Sequence, residues 1–115
     1  MQARKRVTLR SIRDADGSRH LDAHVTAEGD VVVEGQDLGP GVERAFGPGL
    51  TEYEWTHTVR AADVPLLVEA LGGAPGDDVL ALMRRVCSGD GVVRLAALLA
   101  PDGPVPAEFW SRVGD

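Results

Sequence analysis

Disulfides and multi-cysteine zinc clusters are excluded from the start, because the 115 residues include one cysteine, Cys87. A lone thiol fits a reducing compartment, so the expected location is cytoplasmic. Long hydrophobic runs are missing too. The longest, Leu95 to Ala100, is far short of the ~18 residues of a membrane span. The basic start, Met1 to Arg6, leads into an alternating segment with no apolar stretch and does not read as a secretory signal. No Gly-Lys-Ser/Thr follows Gly39 or Gly47, and no strand–glycine–helix unit precedes a ribose-binding acid, which excludes the standard nucleotide motifs. No nucleophile-elbow pattern occurs, and no catalytic set or cofactor is read from the chain. Aromatic residues are scarce at 4%, so each one carries weight in any account of the core.

What is present is ordinary globular material, 43% hydrophobic and 26% charged, at a length suited to a single domain spanning 1–115. The net charge of −6 is unevenly spread. Residues 1–13 carry five basic side chains and no acid, and the remainder sets seven basic against 18 acidic ones. A body this acidic repels phosphate backbones, so nucleic acid is not an expected partner. It attracts cationic surfaces, and a basic protein is the expected partner.

Hydrophobic spacing changes near position 62. Before it the period is two. Val7 and Leu9 alternate with Thr8 and Arg10, and Leu21, Ala23 and Val25 alternate with His20, Asp22 and His24. Val31 to Glu34 continues the pattern, as does Glu52 to Arg60, where Tyr53, Trp55, His57 and Val59 share a face. Asp14-Ala15-Asp16-Gly17 and Glu28-Gly29-Asp30 read as turns. After position 62 the stripes are helical: Val64, Leu67, Val68 and Leu71; then Val79, Leu82, Met83 and Val86; then the strongly apolar 92–100. Asp63 stands where a helix cap belongs, and Asp77 and Asp78 stand at the positive end of the next helix with Arg84 and Arg85 near its negative end. The expected fold is α+β: a four-stranded antiparallel sheet over residues ~6–60, one face covered by two or three C-terminal helices over ~63–100. A long connection over 35–51 is expected to hold one helical turn at Val42 to Phe46, with Phe46 in the core. The tail from Pro104 reads as irregular, anchored by Phe109 and Trp110.

Three groups invite chemistry. His20, Asp22 and His24 carry metal-ligating atoms on one strand face, but alternate residues of a strand stand ~6.7 Å apart, so a solvated polar face competes with a metal site. Glu34, Asp37, Glu43, Glu52 and Glu54 flank or enter the 35–51 connection and suggest an acidic rim for a basic protein, lacking calcium-loop spacing. Tyr53 and Trp55 are expected under the helices as core, and Cys87 as a buried structural thiol. The apolar helix 92–100 is either enclosed or half exposed as a homodimer surface.

The stretch Val33-Glu34-Gly35-Gln36-Asp37-Leu38-Gly39-Pro40 followed by Glu52-Tyr53-Glu54-Trp55 resembles a group of small uncharacterised bacterial proteins. The resemblance extends to Gly76-Asp77-Asp78 and Phe109-Trp110-Ser111, and the composition is similar to that of high-GC actinobacterial proteins. It implies a shared fold and no activity. The leading functional expectation is a non-enzymatic acidic interaction module, such as an inhibitor or immunity-type protein. The alternatives are a small metal-dependent enzyme or binder on the His/Asp face, and a structural homodimer.

Overall fold

Two turns set the first half of the chain in register. At Asp14–Gly17, the Asp16 N–H donates to Asp14 Oδ1 at 2.9 Å, and Gly17 takes φ 118° against the Leu38 carbonyl, where any side chain would collide. Hairpin pairing follows. The computed structural model describes residues 5–115, so part of the basic start lies outside the described residues. Its elements run β1 (Arg6–Asp14), β2 (Gly17–Val25), β3 (Val31–Leu38), α1 (Pro40–Phe46), β4 (Glu52–Val59), α2 (Val64–Ala70), α3 (Val79–Cys87), α4 (Val92–Leu99) and β5 (Glu108–Gly114). The five strands form one antiparallel sheet in the order β1-β2-β3-β4-β5.

The fold is α+β, with several corrections to the sequence reading. The sheet has five strands, because the tail expected to be irregular pairs with β4 as an edge strand. The helices are not all C-terminal, since α1 lies between β3 and β4. β3 continues through Gly35-Gln36-Asp37-Leu38, which shortens the expected 35–51 connection to the residues around α1. Phe46 is 47% exposed, and Val42 is the residue α1 buries. Asp63 makes no side-chain cap, because a short 3-10 turn at Ala61–Asp63 leads into α2. Asp78 does cap α3, accepting from the Leu80 and Ala81 N–H groups at 3.0 and 3.2 Å, a contribution of about 1 kcal/mol. Arg84 and Arg85 complement the dipole at the other end of α3.

Every strand residue in the core belongs to one face, the inner face. Cross-strand register arranges that face in rows. Val25, Val31 and Val59 form one, and Val7, Ala23, Val33, His57 and Phe109 the next. Leu67, Met83, Cys87, Leu95 and Leu99 from α2, α3 and α4, with Leu71 just past α2, close over these rows and complete one hydrophobic cluster. Cys87 is fully buried there, and burial raises its thiol pKa. α4 is half exposed, with Leu95 and Leu99 inward and Val93 71% exposed. No helix among the described residues is long and apolar enough to cross a membrane.

Candidate functional site

The outer face of the sheet collects most of the polar residues singled out from the sequence. Asp22 is buried, and Arg6 Nη1 donates to its Oδ2 at 2.6 Å while His20 Nε2 contacts its other oxygen. Arg6 also approaches Glu34 at 3.7 Å, and His24, itself buried, places Nδ1 3.1 Å from Glu34 Oε1. Further along, Arg112 donates to Glu54 at 2.8 and 3.1 Å and lies 3.7 Å from Glu52, which Gln36 approaches at 3.5 Å. These contacts run across all five strands. His20, Asp22 and His24 share the expected face, but His20 turns to Asp22 while His24 turns to Glu34. Among the described residues no three His, Cys, Asp or Glu side chains gather closely enough to hold a metal ion.

The expected acidic rim is also redistributed. Glu34, Glu52 and Glu54 lie on the outer face beside arginines. Glu43 in α1 accepts from the Gly49 N–H at 3.0 Å and ties down the loop after the helix. Asp37 is alone of the five in turning to the inner face, paired across from Arg19 and Tyr53. The five carboxylates therefore do not form one surface.

The more informative region is the inner face beyond the aliphatic rows. A β-bulge in β1 shifts register between Thr8 and Arg10, so Arg10 pairs with Leu21. The alternation Thr8–Arg10 had placed Arg10 on the outer face. The bulge turns it inward, into a row with Leu21, Gly35, Trp55 and Ser111. The following row holds Ile12, Arg19, Asp37, Tyr53 and Val113. Trp55 lies flat over β3, and this requires Gly35: a Cβ there would stand 2.1 Å from the indole Cζ2. Trp55 packs against the core as expected, whereas Tyr53 lies past the core's edge. The rings stack outward in series, Trp55 on Tyr53 at 5.0 Å between centroids and Tyr53 on Phe46 at 4.9 Å. His57 meets Phe109 at 4.9 Å.

Where α4 passes over these rows it leaves a cavity of about 130 Å³, walled by Leu95 and Leu99 above and by Arg10, Leu21, Trp55 and His57 below. Among the described residues the Arg10 side chain has no hydrogen-bond or ion-pair partner, and its Nε is buried. Arg19 Nη2 donates to Asp14 at 2.5 Å, but its Nε is likewise buried without a partner. Asp37 carries a raised pKa because burial outweighs the opposing pull of Arg10 and Arg19. Burial also lowers the His57 pKa, favouring neutral imidazole. Sequence reasoning missed the inward turn of Arg10 and the cavity, because a bulge leaves no mark on hydrophobic alternation; Arg19 lies on the Leu21 face that the alternation of β2 already gives, and was not singled out.

Three aromatic side chains stand about half in solvent. Phe46, Phe109 and Trp110 are 47, 56 and 52% exposed, and none of the five aromatic residues is fully buried. Phe109 and Trp110 do not anchor a tail as expected; they project from opposite faces of the edge strand β5. Comparison with family models, curated proteins and solved structures finds no match to this chain.

Proposed function

We propose that the chain is a non-enzymatic, acidic protein-interaction module that engages a basic partner through the aromatic side of the sheet, at β4, β5 and the end of α1. The observation that carries this reading is the exposure of Phe46, Phe109 and Trp110 in a chain with so few aromatics. Exposed aromatic groups lose free energy in water and regain it at an interface, where they anchor contacts. β5 adds an open strand edge to that surface. The net charge of −6 would speed encounter with a basic protein and disfavour nucleic acid. An inhibitor or immunity-type role in the cytoplasm fits the small size, the charge and the single buried thiol.

A photoreactive phenylalanine analogue at position 109 or 110, expressed in the native host, tests the reading. One discrete heterologous adduct at these positions, and none from position 93 on α4, is the expected result. Association with the identified partner should slow as salt rises. No adduct at either β5 position, or salt-independent kinetics, would remove the corresponding half of the proposal.

A second reading, a homodimer, is favoured by one observation. Glu108 and Arg112 flank Trp110 symmetrically on the same face of β5. Antiparallel pairing with a second copy about Trp110 would set each glutamate opposite an arginine. The sequence had pointed to the helix at 92–100 instead. Sedimentation of the native chain and of Trp110→Lys separates these: loss of a dimer on that substitution supports β5, and a monomer at high concentration rejects self-association.

A further inference from the structure

We infer that the cavity beneath α4 is a binding site for a small organic monocarboxylate with a flat or branched apolar body, its carboxylate meeting the guanidinium of Arg10. The inference is independent of the interaction surface proposed above, which lies at the sheet edge rather than under the helix.

The first support is the bulge. It interrupts the ladder between Thr8 and Arg10 and carries Arg10 from the polar outer face to the inner one. Solvating an arginine needs no such device, because the outer face already offers water and carboxylates. Bulges re-aim side chains, and this one aims a cation at the cavity wall.

The second support is what Arg10 meets there. Its side chain makes no hydrogen bond or ion pair among the described residues, and its Nε is out of water. A buried donor without a partner costs free energy unless something supplies an acceptor. Arg19, one strand away, is committed to Asp14 but also presents an unbonded, buried Nε. Asp37 is the nearby counter-charge, felt electrostatically without a hydrogen bond to either arginine. It leaves the donors open and disfavours anions of higher charge.

The third support is the apolar part of the wall. Away from the charged end formed by Arg10, Arg19 and Asp37, Leu21, Leu95 and Leu99 are aliphatic, and Trp55 and His57 present rings. A void of about 130 Å³ is near the size known to accept a benzene ring when lined by such residues. Phosphate or sulfate would set a strongly hydrated dianion against apolar walls, and a nucleotide is too large. An apolar acid satisfies both surfaces: its body fills the void and its carboxylate takes charge-assisted bonds from Arg10.

Titration of benzoate into the full-length chain, followed by backbone amide NMR, tests this, with benzyl alcohol as the neutral comparison. In the native chain benzoate should produce saturable shifts centred on Arg10, Gly35 and Leu95. Arg10→Gln should weaken benzoate by roughly tenfold or more while leaving benzyl alcohol unchanged, as expected for loss of a bond to a charged group. Ala96→Phe, on the exposed side of the cavity mouth, should block both ligands and leave the spectrum otherwise folded, so the test survives if Arg10→Gln proves unstable. Absence of saturable shifts in the native chain would overturn the inference. So would equal benzoate affinity in native and Arg10→Gln proteins, or shifts confined to the outer face.

Discussion

The two faces of this sheet treat their charged residues differently. On the outer face Arg6, Asp22, His24, Glu34, Glu54 and Arg112 are tied to one another across strands, so each carboxylate has a basic neighbour within the fold. On the inner face Arg10, Arg19 and Asp37 line the cavity under α4, and the Nε atoms of both arginines are buried without a partner. Polar residues that satisfy each other are part of the framework. Those buried short of partners are where a ligand has something to add. By that criterion the outer-face histidines and carboxylates, which dominate a reading of the sequence, are the weaker candidates.

The contrast depends on α4 covering the inner face, so the largest expected effect comes from that contact. Leu95→Ala should cost about 2–5 kcal/mol in urea unfolding, since it opens a void in the buried wall. Val93→Ala on the same helix, at a mostly exposed site, should stay within about 0.5 kcal/mol. Near-equal losses would mean that α4 does not close over the sheet. Gly35→Ala comes next, at about 1–3 kcal/mol, because the added Cβ displaces Trp55; a red-shifted tryptophan emission should accompany the loss.

The sharpest comparison pairs two arginines of β1. Arg6→Met on the outer face leaves buried Asp22 without its 2.6 Å donor and should destabilise by about 1–3 kcal/mol. Arg10→Met on the inner face breaks no bond and should be neutral or stabilising, within about 1 kcal/mol. A large loss from Arg10→Met would show that the bulge serves stability instead of ligand contact. The smallest effect is on pH dependence. Burial holds the His57 pKa below its ordinary 6.5, so the unfolded chain takes up a proton first as the medium acidifies. Stability from His57 is therefore present above that value and lost as pH falls through it. His57→Gln should flatten the stability curve between about pH 7.5 and about pH 5, and an unchanged slope would place the titration elsewhere.

Legibility in the sequence followed the strength of each periodic signal. The hairpins of β1, β2 and β3 and the stripes of α2, α3 and α4 were visible because each has a face that must avoid water. β5 was not, since Phe109, Trp110 and Val113 fall on both faces of a strand whose only neighbour is β4. The extension of β3 was hidden by Gly35, which reads as a turn residue until Trp55 is found lying on it. Of the candidate site residues, His20, Asp22 and His24 were correctly placed on one face, whereas the carboxylates from Glu34 to Glu54 were grouped by proximity in sequence and are separated in space.

By itself the sequence determined the strands β1 to β4 and the helices α2 to α4 that follow them, the turn at Asp14–Gly17 and the burial of Cys87. These depend on local chemistry or on the period at which apolar residues recur, both written into neighbouring residues. Only the tertiary structure decided that Arg10 faces inward, that Trp55 covers Gly35, that β5 joins the sheet and that a cavity remains beneath α4. Each of those depends on which residue of a distant strand or helix stands opposite, and cross-strand register is fixed by the whole sheet closing at once.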